Sequence, residues 1–327
     1  MNELALATFA ACRDAHAVDR DARSREFASF VAGFDARAYC AGLAAGGLRW
    51  IGRSSPDFPP LLRSIHDPPP GLFVRGTGDV ALLSQLSVAI VGARSCTDYG
   101  AHVARSLGRE LASAGVSVVS GLARGIDGWA HRGALEGGGP TVAVLGCGID
   151  RDYPRAHGAL AAQIASTGLI VSEYPPGVAP APWRFPARNR IVAGLTAATV
   201  VVEARERSGA LITADLALEE GRDVLAVPGE ITSALSRGTN ALLRLGAVVV
   251  TSGSDVLEAV GVEALEGAPK AALSPVAGSV LAALDTGAST VDEVAHATSL
   301  DVGSVAAALT ELELAGLAEV RSGIYRR

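Results

Sequence analysis

Between Ser87 and about Val260 the sequence alternates short, almost wholly apolar β-branched runs with longer amphipathic segments, and this rhythm limits the possible folds more than any other feature. The runs are Val88 to Val91, Val116 to Val119, Thr141 to Leu145, Leu169 to Val171, Thr199 to Val202, Asp223 to Val227 and Ala247 to Val250. They lack the apolar/polar alternation of a half-exposed strand, so each predicts a strand covered on both faces. Roughly 10–15 residues of helical character usually intervene, the spacing of crossover helices in a parallel sheet. The expected class is α/β, a Rossmann-like, doubly wound, mostly parallel sheet. Such sheets bind ligands beyond the carboxyl ends of their strands, so function is sought in the segments that follow each run.

The flanks read differently. Residues 1–50 carry apolar positions at helical spacing (Leu4, Ala7, Phe9; Phe27, Phe30, Val31; Tyr39, Leu43) and predict a small bundle of about three helices. A Pro-rich connector, Pro56 to Pro70, disfavours helix through ring clashes and missing donors. The α/β domain is expected over 51–262, followed by a linker at 263–274 with Glu263, Gly267, Pro269 and Ser274. Three short helical segments and a hairpin around Ser322 and Gly323 describe a winged-helix domain over 275–327.

Composition excludes several classes. No apolar stretch approaches the roughly 20 residues of a spanning helix, and Leu4 to Cys12, preceded by Glu3 and followed by Arg13 and Asp14, reads as an amphipathic helix rather than a secretory leader. The four cysteines, Cys12, Cys40, Cys96 and Cys147, are too scattered for a zinc site and are expected as free thiols in a reducing, cytoplasmic setting. A net charge of −6 argues against coating a polyanion by bulk electrostatics, so any nucleic-acid site must be local. The basic residues are arginines except Lys270.

Three strand ends carry loops suited to phosphate. The first is Gly92-Ala93-Arg94-Ser95-Cys96-Thr97, with a helix beginning near Asp98. Glycine admits close backbone approach, a helix start presents free N–H groups to an anion, and Arg94 adds a forked donor. Spacing alone leaves this reading about even with a plain turn. The loop is neither GxGxxG nor a P-loop, so no nucleotide cofactor is expected. The second is Ser120-Gly121-Leu122-Ala123-Arg124-Gly125, with Asp127 expected as the N-cap of the next helix. The third is Ser208-Gly209 with Thr213, beyond Glu203, for which a salt bridge is expected. Together they favour an extended phosphodiester over one small ligand.

The segment Trp183-Arg184-Phe185-Pro186-Ala187-Arg188-Asn189-Arg190 sets aromatic rings beside three arginines, in a chain with only 5% aromatic residues. Ring faces for unpaired bases and guanidinium groups for phosphates are what a single strand requires. The competing reading is a loop packed on the core with solvated arginines. No catalytic constellation emerges: His131 and His157 read as core or capping residues, and Ser120 lacks a GxSxG elbow. No metal site is expected.

From Phe58 to Val260 the ordered motifs resemble the DNA-processing protein A (DprA/Smf) family. They include Val88 to Gly100, Ser120 to Asp127 with Ala130-His131, Tyr153-Pro154, Ser172-Glu173-Tyr174-Pro175, Phe185 to Ile191, Ser208-Gly209-Ala210, Val227-Pro228-Gly229 and Gly238-Thr239-Asn240. The resemblance implies a SAM-like N-terminal bundle and a homodimer that binds single-stranded DNA in natural transformation and loads a RecA-type recombinase on it. The family's DNA contacts correspond here to Arg94, Ser120, Gly121, Phe185 and Asn189. Pro182 stands where many relatives carry a lysine, with Arg184 as the replacement charge. The third winged-helix segment, with Asp301, Glu311 and Glu313 and no cation, is unsuited to a major groove, although Arg321, Arg326 and Arg327 lie near the hairpin. The alternative class is a Rossmann-like nucleotide phosphoribohydrolase of lysine-decarboxylase-like type. Its PGGxGTxxE loop is split here between Pro228-Gly229-Glu230 and Gly238-Thr239-Asn240, with Leu242 and Leu243 where its glutamate would fall.

Overall fold

The computed structural model describes residues 2–12, 24–262, 274–314, 317–321 and 323–326. The chain divides into two compact units, 1–264 and 265–327. Most of the expected linker lies outside the described residues.

The first unit is built on a nine-stranded sheet of order β1-β2-β6-β5-β4-β3-β7-β8-β9. The strands are β1 (Leu48–Gly52), β2 (Gly71–Arg75), β3 (Ser87–Val91), β4 (Ser117–Ser120), β5 (Thr141–Leu145), β6 (Leu169–Ser172), β7 (Ala198–Val201), β8 (Asp223–Ala226) and β9 (Val248–Val249). From β6 to β9 every pairing is parallel. Residues on β3 explain why periodicity of two is missing from the sequence. Ala89 and Val91 join one apolar cluster, with Val119, Ile191 and Ala214, while Val88 and Ile90 join another, with Val118, Leu107 and Ala130. Each face is covered by helices, so both sets must be apolar.

Counted along the chain, the helices are α1 (Asn2–Cys12), α2 (Arg25–Gly33), α3 (Ala36–Ala45), the single turn α4 (Pro60–Arg63), α5 (Asp98–Ser113), α6 (Ile126–Glu136), α7 (Gly158–Thr167), α8 (Arg184–Leu195), α9 (Gly209–Glu219), α10 (Arg237–Arg244) and α11 (Gly253–Ala259). Leu4 of α1 and Leu43 of α3 pack with Phe73 and Leu145, so the N-terminal helices cover one end of the sheet.

Strands β1 and β2 were not foreseen. They pair antiparallel with each other, and β2 pairs antiparallel with β6, so the Pro-rich connector joins two strands of the sheet and carries α4. Only Leu72, Phe73 and Val74 announce β2, and three prolines directly before them carry the stronger local signal.

The second unit holds α12 (Pro275–Asp285), α13 (Val291–Thr298), α14 (Val302–Leu314) and a hairpin of β10 (Glu319–Arg321) and β11 (Ile324–Arg326). Val280, Val294, Val305, Leu309 and Leu312 form its core. This is the expected winged-helix arrangement. The side chains of Arg321, Arg326 and Arg327 lie outside the described residues, as does Ser322. Cys40, Cys96 and Cys147 are free thiols. Among the described residues no helix is long and apolar enough to cross a membrane, and no group of side chains could hold a metal ion.

The chain runs outward from β3 through β4 and β5 to β6, then returns to β7 on the other side of β3. That reversal opens a crevice at the carboxyl ends of β3 and β7.

Candidate nucleic-acid interface

Main-chain bonds lock the three strand-end loops together at this crevice. Ala93 donates to the Glu203 carbonyl at 2.8 Å, and Ile126 donates to the Ala93 carbonyl at 3.2 Å. Gly125, at φ +74°, occupies backbone space that favours glycine, and a Cβ there would collide with the Ala93 carbonyl. Gly92 is equally confined, between Ile126 and the Glu203 carbonyl. Arg94 and Ser95 are exposed above this junction. Glu203 is buried and, among the described residues, forms no salt bridge with an arginine; its carboxylate accepts from the Thr97 backbone N–H at 2.9 Å and from the Thr97 hydroxyl. Thr97 in turn caps α5 by accepting from the Gly100 N–H. Its hydroxyl serves helix and loop, and Thr97 does not line the crevice.

The second loop corrects two expectations. Ser120 is fully buried and donates to the Ile90 carbonyl at 2.6 Å, so its hydroxyl is spent within the sheet. Gly125, not Asp127, is the N-cap of α6. Asp127 folds back beneath the loop and accepts from the Gly121 and Ala123 N–H groups at 3.1 and 3.3 Å. Burial raises its pKa, against the opposing pull of Arg188 and those two donors.

The aromatic-arginine segment is neither an open ribbon nor a loop. It forms the first two turns of α8, with Pro186 in the first turn, where a missing N–H costs least. The expectation of three outward cations is corrected. Arg184 is buried, donates to the Ala179 carbonyl, and lies over the rings of Tyr174 and Trp183 at 5.1 and 4.8 Å. Arg188 is buried and donates to the carbonyls of Gly121, at 2.7 Å, and of Val144. Arg190 forms a two-pronged ion pair with Glu173, at 3.0 and 2.7 Å, and a further one with Asp67 at 2.9 Å. The neighbouring carboxylates hold its pKa above the ordinary arginine value against the lowering effect of burial.

What α8 does present is Phe185 and Asn189. Arg94 reaches over from the first loop, its Cζ 5.4 Å from the centre of the Phe185 ring. Tyr153 stacks against the same ring, with centroids 5.2 Å apart and planes inclined by 27°. Asn189 donates to the Gly209 carbonyl at 3.1 Å and so ties α8 to the start of α9. There Ser208 is the N-cap, accepting from the Ala210 N–H at 3.3 Å.

These parts enclose a cavity of about 410 Å³, within the size range of pockets for small ligands. Gly92, Arg94 and Ser95 line it from the first loop, and Gly121 from the second. Phe185, Arg188 and Asn189 line it from α8, and Ser208, Gly209 and Thr213 from the third loop and α9. Ser120, Gly125, Arg184 and Arg190 are not among the lining residues. Two cations of the rim, the exposed Arg205 and Arg207, were missed by sequence reasoning. Their position in a strand-end loop immediately before Ser208-Gly209 was the available signal. Pro182 is exposed nearby in sequence and supplies no charge. The segments expected to make a hydrolase loop do meet, but Asn240 uses its side-chain amide to bond Gly229 through both N–H and C=O, and Leu242 is buried.

Comparisons with known proteins agree with this fold. The profile of the family described as DNA recombination-mediator protein A matches residues 49–261, and that of the DprA winged helix domain matches 264–323. The chain is 47% identical over 263 residues to the putative DNA processing protein DprA of Mycobacterium tuberculosis, covering 78% of this chain and 68% of the relative. It is 41% identical over 281 residues to protein Smf of Escherichia coli, covering 82% and 75%. Among solved structures, DNA processing protein A from Streptococcus pneumoniae superposes with a TM-score of 0.66 at 40% identity, over 74% of this chain and 84% of that one. The protein from Helicobacter pylori, whose structure is described as showing a unique single-stranded DNA binding mode, superposes at 0.59 with 32% identity, over 64% and 94%. With a matched core spanning the whole sheet and its crevice, the chain belongs to the DNA recombination-mediator protein A (DprA/Smf) family.

Proposed function

We propose that this protein binds a single DNA strand in the crevice and hands it to a RecA-type recombinase during natural transformation and recombination, in the cytoplasm and without catalysing a reaction itself. One observation carries the reading: an exposed arginine lies over a partly exposed phenylalanine at the wall of a cavity lined by three strand-end loops. A base stacks on the ring, and the flanking phosphates meet Arg94, Arg205 and Arg207. A duplex hides its base faces and gains nothing from Phe185. The family's description as recombination mediators supports delivery to a recombinase.

We propose a homodimer joined through the β9 edge. Leu245 is 85% exposed, and Val248 and Val249 are about half exposed on the terminal strand. An apolar edge strand, unpaired on its outer side among the described residues, invites a second copy of itself. Residues 1–50 would act as a SAM-like module beside the α/β domain. The winged-helix domain would contact protein rather than a major groove, because α14 exposes Val302 and small residues and carries no cation.

Titration of fluorescent oligonucleotides, single-stranded and duplex, at two salt concentrations tests the main claim. Arg94→Ala should weaken single-strand binding by about 1.5–3 kcal/mol, the range for charged hydrogen bonds. With three rim arginines the plot of log affinity against log salt should have a slope of about −2, from roughly −0.7 per phosphate. Equal affinity for duplex, or an Arg94→Ala variant that binds as the parent does, would overturn the assignment.

A further inference from the structure

We propose that Tyr153 is a second base-stacking station, so that the strand path continues from the cavity over Phe185 onto the loop that follows β5. This rests on the single-strand reading above. The two rings already stack, and Tyr153 keeps 42% of its surface exposed while Phe185 borders the cavity. An exposed aromatic ring continuous with the wall of a cationic cavity offers a next base the same π face that Phe185 offers the first.

The platform is fixed before any ligand arrives. Phe185 sits against Gly146, where a Cβ would come within 2.9 Å of the ring. The loop bearing Tyr153 is tethered at the three residues that precede it. Asp152 pairs with Arg75 at 2.5 Å, Asp150 accepts from the Gly177 N–H at 2.9 Å, and Arg151 donates to the Gly177 carbonyl at 3.0 Å. Charge around the ring cancels, with Asp150 and Asp152 against Arg151 and Arg155. A phosphate gains little there, whereas a neutral base face loses nothing. The contribution of Tyr153 is therefore stacking, and it should be insensitive to salt, unlike that of Arg94.

The test uses the full-length protein and oligonucleotides carrying 2-aminopurine at successive positions. Tyr153→Ala should weaken single-strand binding roughly fivefold to a hundredfold, the range for loss of one stacked base, with the salt slope unchanged. Tyr153→Phe and Tyr153→Trp should restore affinity. Tyr153→Leu keeps an apolar contact for Phe185 but no π face, and should remain weak and lose one of two adjacent quenched 2-aminopurine positions. Restoration of full affinity and quenching by leucine would reduce Tyr153 to a prop for Phe185 and overturn the inference. So would parental affinity in Tyr153→Ala beside a weakened Arg94→Ala, a result that leaves the single-strand reading standing. Absence of single-strand binding by the parent protein would remove both.

Discussion

Replacing Arg188 with alanine should damage the fold before it damages recognition. Arg188 is 4% exposed, and its guanidinium donates to the carbonyls of Gly121 and Val144, joining the second loop to β5. Each buried acceptor left without a donor costs about 1–3 kcal/mol, so the two together cost about 2–6 kcal/mol. The substitution also withdraws the cation that eases ionisation of the buried Asp127. For a unit of this size each kcal/mol moves the melting point by about 2–4 °C, which sets the expected fall at about 4–24 °C. Thermal melting followed by circular dichroism measures that fall, and oligonucleotide titration well below the lowered midpoint measures binding. A variant that melts with the parent and yet loses single-strand affinity would refute the reasoning. It would make Arg188 a phosphate contact and not an internal brace.

Three further outcomes are expected. His131 is buried, hydrogen-bonded to Thr141 at 2.7 Å, and its pKa is lowered to about 3 by burial and by neighbouring cations. The unfolded chain binds a proton there below about 6.5 and the folded chain does not until about 3, so this group's stability is intact above 6.5 and falls by up to about 1.4 kcal/mol per pH unit as pH drops through that window. Urea unfolding of His131→Gln across the same range should show a shallower slope. Gly125→Ala should cost at least about 1–3 kcal/mol, since φ +74° with ψ −130° is strained for any side chain and the new Cβ meets the Ala93 carbonyl; an unchanged denaturation midpoint would contradict this. Leu245→Arg should turn the proposed dimer into monomers in sedimentation equilibrium, while the unfolding free energy of the monomer stays within about 0.5 kcal/mol of the parent's, because the side chain is exposed.

The sheet was legible because burial on both faces leaves an unmistakable trace: four consecutive apolar residues in Val88 to Val91, with helical spacing on either side. The convergence of three loops followed from the parallel topology, which sets every strand's carboxyl end on one rim. Directions of side chains were harder. Arg184 and Arg188 stand four residues apart in line with Ile191, Val192 and Leu195, the buried stripe of α8. Helical periodicity would have assigned them inward, but Pro186 hid the start of the helix, and a cluster of charge reads as surface unless the stripe beneath it is counted. Tyr153 was missed for another reason: it lies far from Phe185 in the sequence, and only the fold brings its loop to that ring. Arg205 and Arg207 stand in the third loop itself, where a cation beside Ser208-Gly209 was the unused signal.

The arginines divide by environment, and under the proposed function this division accounts for an acidic protein holding a polyanion. Arg184, Arg188 and Arg190 face carbonyls, rings and carboxylates within the protein, where they fix the shape of α8 and the second loop. Arg94, Arg205 and Arg207 stand exposed at the cavity, where their field reaches only about a Debye length, near 8 Å at physiological salt. A net charge of −6 then repels a strand that is not in register, while a seated strand exchanges that repulsion for short-range charge and stacking. Affinity held by a few close contacts is also easily released: loss of two rim contacts at about 1.5–3 kcal/mol each lowers it by two orders of magnitude or more. The proposed transfer of the strand to a recombinase needs that property, and a protein coated in positive charge would not have it.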